Sequence, residues 1–312
     1  MPTLQQMRYL VSVADHLHFR RAAEASNVTQ PTLSAQLKEL ELRLGVQLVE
    51  RGRSRVIVTP LGAEVVARAR RVLRDVEEIR DLARRGQRPL SGTIRLGVAM
   101  SLGSYLLPVM IPDLQQSHTR LRFYMREGLP DALVDQLENG KIDLLFCPLP
   151  VENSDLVVKP LFVEPLRLVV PTDHRLAQKE VVDPADLAGE TLLTLEPGHR
   201  LYEQISSLSV EYNAQISPDF EGTSLDTLRQ MVSMKLGISL LPALYIRSEV
   251  AREKMLVDRP IAGTEPARTI GMIWRRGSAR HEEFADLFDI LAGILAARAP
   301  EVHVVADEAP PL

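Results

Sequence analysis

The sequence has only one cysteine and no long apolar run, and each absence excludes a class of protein. Cys147 is the one cysteine among 312 residues, so the chain cannot form an internal disulfide. No Cys/His cluster has the spacing of metal ligands, and we expect no metal and no cofactor. No segment approaches the roughly 20 apolar residues that a membrane span requires. The N-terminus lacks a secretory signal pattern, which predicts a cytoplasmic protein that does not enter the membrane.

Charge is distributed unevenly along a chain of otherwise ordinary globular composition. Residues 1–87 carry 15 Lys and Arg against 10 Asp and Glu, while the remainder carries 22 against 31. Because residues 1–87 are net basic and the rest of the chain is net acidic, we expect only residues 1–87 to bind a polyanion. The length of 312 residues predicts two or three domains.

Three short helices are predicted at the N-terminus, over 3–16, 19–25 and 29–44. Thr29 is a suitable N-cap for the third helix, Pro31 is tolerated in its first turn, and Gly45 ends it. Leu33, Leu37, Leu40 and Leu44 recur at helical spacing and predict its buried face. The short second helix before a longer third one is typical of a helix-turn-helix, whose second helix enters the DNA major groove.

A basic hairpin and a long helix are predicted next. Val46–Val49 and Val56–Val58 flank a basic turn, which indicates a β-hairpin wing. From Pro60 to about Arg85 one apolar stripe continues over seven turns. A stripe this long and narrow predicts a linker helix that pairs with a second copy. Gly86–Gly92 breaks the pattern and predicts a hinge.

The rest of the chain alternates apolar strands with helical segments. Strands are predicted over 93–99, 120–126, 142–146 and 166–170, with further strands over 190–195, 238–241 and 269–274. This alternation predicts an α/β fold of parallel, doubly wound units. The tail from about residue 300 has no periodicity and is predicted to be disordered.

The exposed face of the third helix provides the candidates for reading DNA bases. Glutamine can bond adenine, threonine and alanine can contact the thymine methyl, and lysine can reach guanine or phosphate. Arginines of the second helix and the wing are candidates for backbone contacts, which supply affinity without specificity. The candidates are Arg20, Gln30, Pro31, Thr32, Ser34, Ala35, Lys38, Arg51, Arg53 and Arg55. The alternative is a plain polar helix face; the wing and the charge asymmetry favour DNA.

Several segments resemble one known family. FRRAAEASNVTQPTLSAQLKELELRLGVQLVER and VTPLGAEVVARAR are similar to the DNA-binding region and linker helix of the LysR-type transcriptional regulators. GVAMSLGSYLLP, LENGKIDLLFCPLP and GTSLDTLRQMVSMKLGISLLPAL are similar to that family's effector domain. YLLP, LAGETLLTLEPGH and ARTIGMIWRRGS resemble its peroxide-sensing OxyR group most.

The resemblance implies a domain plan and a set of partners. It implies that the protein binds double-stranded DNA at an inverted-repeat operator, responds to a small-molecule or oxidant effector, and contacts RNA polymerase. It further implies a homodimer or homotetramer that activates or represses transcription. It also implies two periplasmic-binding-protein-like, Rossmann-like effector subdomains joined by two crossing strands. The expected plan is a winged helix-turn-helix over 1–59, a linker helix over 60–86, a hinge over 87–91, subdomain I over 92–161 plus 267–300, subdomain II over 162–266, and a disordered tail over 301–312.

One departure from the OxyR pattern changes the expected mechanism. The positions of that group's two redox cysteines hold Arg200 and Ser209, so the disulfide switch cannot operate. His199 and Arg268 match pocket residues of the group, Ser101 stands where it has a threonine, and Pro130 replaces another threonine.

The cleft between the subdomains is the predicted effector pocket. Hydroxyls at two predicted helix N-termini, beside His199 and Arg268, could hold a carboxylate or another anion; alternatively they only cap their helices. Cys147 ends an apolar strand near the same cleft, where it is either inert core or a thiol sensor of oxidative stress. The candidate pocket residues are Ser101, Ser104, Cys147, His199, Thr223, Ser224 and Arg268.

Three classes of function compete for this sequence. The first is a ligand-responsive transcription factor, which we favour. An exported solute-binding protein or an enzyme leaves the basic N-terminal part unexplained, and no group of residues assembles a nucleophile, a base and an oxyanion site. A constitutive DNA-binding regulator without an effector is the third.

Overall fold

The computed structural model describes residues 1–51, 56–85, 90–263 and 265–305, and the chain forms two compact units, Met1–Arg88 and Pro89–Leu312. Among these residues, no helix combines the length and apolarity needed to cross a membrane. The same residues contain no group of three or more His, Cys, Asp or Glu placed to hold a metal ion.

The first unit opens with three helices whose ends are fixed by caps. They are α1 (Leu4–His16), α2 (Phe19–Ala25) and α3 (Gln30–Leu44). Thr3 and Gln6 form a reciprocal capping box at the start of α1, and the Nδ1 of His18 accepts from the first amides of α2. At the end of α3, Gly45 adopts a positive φ of 70°, a conformation that favours glycine.

A short hairpin and a long helix complete this unit. β1 (Val49–Arg51) pairs antiparallel with β2 (Val56–Val58), and α4 (Pro60–Arg85) follows. A Cβ at Gly62 would lie 2.1 Å from the carbonyl oxygen of Leu48, so only glycine lets α4 begin this close to the hairpin. The predicted hairpin and long helix are thus present, but the first strand, predicted over Val46–Val49, begins only at Val49. Pairing of α4 with a second copy stays a prediction.

The core of the first unit lies among its helices and the hairpin. Leu10 and Val13 of α1 pack with Leu33, Leu37 and Leu40 of α3, and all five are essentially inaccessible to solvent. The prediction that Leu44 belongs to this buried face is wrong. It is 38% exposed, because the helix ends there and its last turn extends past the core.

The second unit is an α/β structure built on one large mixed sheet. Its helices are α5 (Gly103–Ser117), α6 (Pro130–Glu138), α7 (Arg200–Glu211), α8 (Leu225–Ser233), α9 (Ala243–Ser248) and α10 (His281–Arg298). Its strands are β3 (Gly92–Ala99), β4 (Leu121–Gly128), β5 (Leu144–Pro148), β6 (Leu156–Pro171), β7 (Thr191–Leu192), β8 (Gln215–Ile216), β9 (Ser239–Pro242), β10 (Leu256–Arg259), β11 (Ala267–Arg275) and β12 (His303–Val304).

The large sheet has the order β10-β6-β11-β5-β3-β4, and β9 and β12 also pair with β6. The parallel pairing expected from the sequence is confirmed for β3 with β4 and with β5. It is wrong for β6 and β11, which pair antiparallel. The reason is that these two strands run back and forth between the two halves of the unit instead of returning through a helix.

Two hydrophobic cores lie along this sheet, and β6 contributes to both. Leu161 and Phe162 of β6 belong to the core that contains β3, β5, α5 and α10. Leu166 and Leu168, further along the strand, belong to the core that contains α7 and α8. β6 therefore carries the chain from one subdomain into the other, and β11 carries it back.

The predicted tail and hinge have different outcomes. The prediction that the chain is disordered from residue 301 onward is wrong for residues 301–305, because His303 and Val304 pair with Val163 and Phe162 of β6. An antiparallel two-residue bridge of this kind leaves no apolar periodicity in the sequence. Residues 306–312 lie outside the described part of the chain, as do residues 86–89 of the predicted hinge.

Candidate DNA-binding surface and effector site

The outer face of α3 is the first candidate site. It carries the predicted base-reading side chains on one side of the helix, while Leu33 and Leu37 bury the other. The exposed members of this face are Gln30, Pro31, Thr32, Ala35 and Lys38, and Ser34 is half-buried.

The start of this helix is held in place from within the unit. The hydroxyl of Thr29 accepts from the amide of Thr32, and the two threonine hydroxyls lie 2.8 Å apart. Gln36 accepts from Gln6 of α1 at 3.3 Å. These contacts fix the first turns of α3, which is the part of a recognition helix that contacts bases.

The predicted backbone-contacting arginines are described only in part. Arg20 is exposed and forms an ion pair with Glu24 one turn along α2, with 3.1 Å between Nε and Oε1. Arg51 ends β1 but its side chain lies outside the described residues, together with Arg53 and Arg55. The wing contacts therefore stay a prediction.

The second candidate site lies where the three parallel strands of subdomain I end. Ser101 follows β3, Pro130 follows β4, and Cys147 is near the end of β5. Carboxyl ends of neighbouring parallel strands meet at one sheet edge, which is where ligands bind in open α/β folds. The sequence prediction that Ser101 and Cys147 belong to one region is consistent with this topology.

Arg268 is locked in a buried network with Ser101. Its Nη1 donates to the hydroxyl of Ser101 at 2.9 Å, and its Nη2 donates to the Ser101 carbonyl at 3.1 Å. Its Nε donates to Glu164 at 2.8 Å. Because most donors of this guanidinium already have protein acceptors, Arg268 has little left to offer an anionic ligand. Its main contribution is to fix Ser101.

Glu164 is a site residue that the sequence reasoning missed. Its side chain is fully buried in β6, where Oε2 accepts from Arg268 and Oε1 accepts from the amide of Leu244 at 2.9 Å. It thereby joins Ser101 of subdomain I to α9 of subdomain II. The available signal was a lone carboxylate in the apolar run LFVEPLRLVV, since an ionised group in such a strand requires a buried partner.

Arg200, at the start of α7, connects the two subdomains. Its Nη2 donates to Asp131 at the start of α6, at 3.1 Å, and its Nη1 donates to Glu203 at 3.0 Å. The guanidinium is also near enough to Cys147 to influence that thiol electrostatically. The structure therefore brings Arg200, Asp131 and Cys147 together at the sheet edge.

Cys147 itself has the environment of a core residue. It is completely buried, and burial raises the pKa of its thiol to about 12, although the cation of Arg200 opposes the rise. The nucleophile in thiol oxidation is the thiolate, which at that pKa is almost absent near neutral pH. These properties favour the inert alternative over the sensor.

His199 and Thr194 hold buried polar atoms that lack protein partners. Among the described residues, His199 Nε2 and Thr194 Oγ1 have no hydrogen-bond partner, and each side chain is no more than 3% exposed. The nearest carboxylate to His199 is Glu196, with 4.0 Å between Nε2 and Oε1. Burial lowers the pKa of His199, and Glu196 only partly offsets this, so the ring is neutral at pH 7.

The remaining predicted pocket residues lie at helix starts and are exposed. Ser224 caps α8 by accepting from the amide of Thr227, and Thr223 and Ser104 have solvent-exposed side chains. Tyr105 of α5 reaches Asp226 in the first turn of α8, with 3.5 Å between its hydroxyl and Oδ2. The first turns of α5 and α8 therefore face each other across the two subdomains.

Comparisons with known proteins cover both units of the chain. Residues 4–63 match the model of the bacterial regulatory helix-turn-helix proteins of the LysR family, and residues 87–296 match the LysR substrate binding domain. The chain belongs to the LysR family of transcriptional regulators. This LysR regulator is a DNA-binding protein and not an enzyme, and its second unit is the family's effector domain.

Relatives and solved structures extend the similarity over nearly the whole regulator. It is 42% identical over 286 residues to the DNA-binding transcriptional dual regulator OxyR of Escherichia coli. The aligned region covers 91% of this chain and 93% of the relative. Full-length OxyR of Pseudomonas aeruginosa with a cysteine-to-aspartate substitution matches with a TM-score of 0.79 and 33% identity over 99% of both chains. A cysteine-to-serine mutant of Corynebacterium glutamicum OxyR with H₂O₂ bound matches with a TM-score of 0.67 and 30% identity, covering 96% of this chain and 95% of that one.

Proposed function

We propose that this LysR regulator binds an inverted-repeat operator and that a small polar molecule sets its output by occupying the cleft between the effector subdomains without covalent chemistry. The observation that carries the proposal is the pair of buried, unpartnered polar atoms, His199 Nε2 and Thr194 Oγ1. A buried polar atom without a partner costs free energy, and a bound ligand that supplies the hydrogen bond recovers it.

The nature of the ligand follows from the groups around these atoms. A neutral His199 can donate or accept a hydrogen bond, and the hydroxyl of Thr194 can do both. The neighbouring cation is Arg200. Its Nε is buried and has no hydrogen-bond partner among the described residues. Small carboxylates and small hydrogen-bonding molecules of the size of a peroxide fit this chemistry. The cysteine-substituted Corynebacterium relative has H₂O₂ bound, which supports binding of a molecule of this size in a fold of this kind.

The route from the cleft to DNA is a population shift. A ligand that contacts both subdomains favours one angle between them, and that angle sets how two or more chains pair and how their helix-turn-helices meet the DNA. We propose a homodimer or homotetramer that acts in the cytoplasm and contacts RNA polymerase at the promoter. A regulator without any effector is the second candidate, and it is favoured only if cleft variants leave DNA binding unchanged.

Footprinting upstream of the regulator's own gene tests operator and effector together. The wild-type protein is examined with and without peroxide and small carboxylates, beside Thr194→Val and His199→Gln. We expect protection of an inverted repeat that changes with one of these molecules, and loss of that change in both variants. The matched control is His118→Gln, which alters a histidine at the end of α5. A ligand response that survives both cleft variants contradicts the proposed site.

A further inference from the structure

A second depression lies between helices of the two subdomains, apart from the residues of the proposed cleft. It has a volume of about 440 Å³, within the range of small-molecule pockets, and we call it the α5–α9 groove. Its walls come from α5, α9, the turn after α9 and the end of α10. The lining residues used below are Tyr105, Val109, Pro112, Arg247, Arg252 and Arg298.

One wall of the groove is apolar. Tyr105, Val109 and Pro112 follow each other along one side of α5, and Leu244 contributes from α9. Tyr105 is held edge-on against the ring of Tyr245, with 4.9 Å between the ring centroids. A fixed aromatic ring beside aliphatic and proline side chains suits a flat apolar body.

The opposite wall is cationic and partly prearranged. Arg298 donates to Asp113 through Nε at 3.0 Å and through Nη2 at 3.2 Å. Arg247 donates to the Arg298 carbonyl at 2.7 Å and to Glu301 at 2.8 Å. These contacts fix both side chains while leaving further guanidinium donors available. Within the part of the chain that the structure describes, nothing pairs with the exposed guanidinium of Arg252.

From this arrangement we propose that the α5–α9 groove is a second ligand site, which takes a small aromatic anion with one carboxylate or sulfonate. The aromatic body packs on Tyr105, Val109 and Pro112, and the anionic group is bound by Arg252 together with Arg247. Because Arg298 is paired with Asp113 and Arg247 with Glu301, the preference for an anion over a cation comes from Arg252, which has no partner among the described residues. A ligand there contacts α5 of subdomain I and α9 of subdomain II at once.

Calorimetric titration of the full-length protein with 2-naphthoate, and with neutral 2-naphthamide as the matched probe, tests this site. We expect 2-naphthoate to bind one site per chain and 2-naphthamide to bind at least about tenfold more weakly, since one charge-assisted hydrogen bond accounts for such a factor. Arg252→Gln should weaken 2-naphthoate by a similar factor, and Val109→Trp, which fills the groove, should abolish binding. Far-ultraviolet circular dichroism verifies that each variant is folded.

Two controls separate this site from the cleft and from nonspecific charge. Arg120→Gln removes an exposed arginine outside the groove, and His199→Gln alters the cleft; neither should change 2-naphthoate affinity. The proposal is overturned if 2-naphthoate does not bind at 10 mM (roughly the limit of a weak pocket), if 2-naphthamide binds equally well, or if Arg252→Gln and Val109→Trp both bind like wild type.

Discussion

Individual buried side chains determine how this regulator's effector domain is held together. Glu164, Arg268 and Ser101 form one solvent-excluded network in which every polar group has a partner. Ionised groups inside a protein are tolerated only under that condition. The network therefore stabilises the native arrangement chiefly by making other arrangements costly, because any movement that separates Glu164 from Arg268 leaves a buried charge unpaired.

Replacing Glu164 with alanine should destabilise the protein severely. Glu164→Ala leaves the buried guanidinium of Arg268 without its counter-ion, which costs about 3–5 kcal/mol in comparable proteins. Urea unfolding monitored by Trp274 fluorescence measures the change, because Trp274 lies in the core of subdomain I. The double variant Glu164→Leu, Arg268→Met should lose much less than the single variant. Equal losses in the two proteins would show that the charge pair is not the cause.

His199 should make stability depend on pH in one direction. Its folded pKa lies below the unfolded value of 6.5, so above that pH both states are neutral and the shift has no effect on stability. As the pH falls below 6.5, the unfolded state gains a proton that the folded state does not, and stability decreases by at most about 1.4 kcal/mol per pH unit.

The measurement compares wild type with His199→Gln in denaturant unfolding between pH 5 and pH 8. The unfolding free energy of wild type relative to the variant should fall on the acid side of that range and be constant above pH 7. A difference that is flat throughout, or that grows toward acid pH, contradicts a buried neutral histidine.

Cys147 should be chemically silent in the native protein. With its pKa raised to about 12, only about one thiol in 10⁵ is ionised at pH 7. Iodoacetamide should therefore label the native regulator only as fast as it unfolds, and should label it completely in urea. Native labelling at the rate of a free cysteine would restore Cys147 as a sensor.

At the scale of elements, helix α3 is the proposed recognition helix. Gln30→Ala should cost about 1–3 kcal/mol of operator affinity, since a glutamine can make two hydrogen bonds to adenine. Its effect on random DNA should be small, because base contacts contribute little to nonspecific binding. Fluorescence anisotropy with operator and random duplexes checks this, and Gln115→Ala, at an exposed position in α5, is the matched control. Equal losses on both duplexes would place Gln30 on the phosphate backbone.

Elements with a local signal were predictable from the sequence, and those that depend on distant pairing were not. The caps at Thr29 and Gly45 predicted the ends of α3, and the apolar stripe from Pro60 onward predicted α4. The sixteen residues of β6 were predicted only over 166–170, because its first half has no alternation that marks a strand. Strand β12 was not predicted for a similar reason: it pairs with β6 over only two residues, which is too short for an alternation of apolar and polar residues.

The candidate site was predictable to the same limited extent. Ser101 and Cys147 were predicted because they lie at strand ends, whereas His199 and Arg268 were predicted only through the resemblance to the OxyR group. The role of Arg268 was not predicted: the expected anion-binding side chain is a buried partner of Glu164 in the structure. That partnership joins residues 104 positions apart, and nothing local encodes it. The same is true of the ion pair between Arg200 and Asp131.

For the whole molecule, a helix-turn-helix unit is joined to an effector domain that keeps the OxyR-like architecture without the thiol pair. Cys147 is the one cysteine of the sequence, so the chain holds no thiol pair, and this thiol is buried in a core. The two subdomains are joined by an ion pair between Arg200 and Asp131. An ion pair between the subdomains favours control by ligand occupancy, and the lack of a thiol pair disfavours control by disulfide formation.

The most direct test is the operator affinity of wild type and Cys147→Ser, each measured before and after peroxide treatment at several salt concentrations. We predict specific binding about 10³-fold or more above random DNA, weakening with salt, and identical in the two proteins under every condition. A peroxide-induced change in wild type that a thiol reductant reverses, and that Cys147→Ser lacks, would contradict an operator-binding regulator that works without a thiol switch.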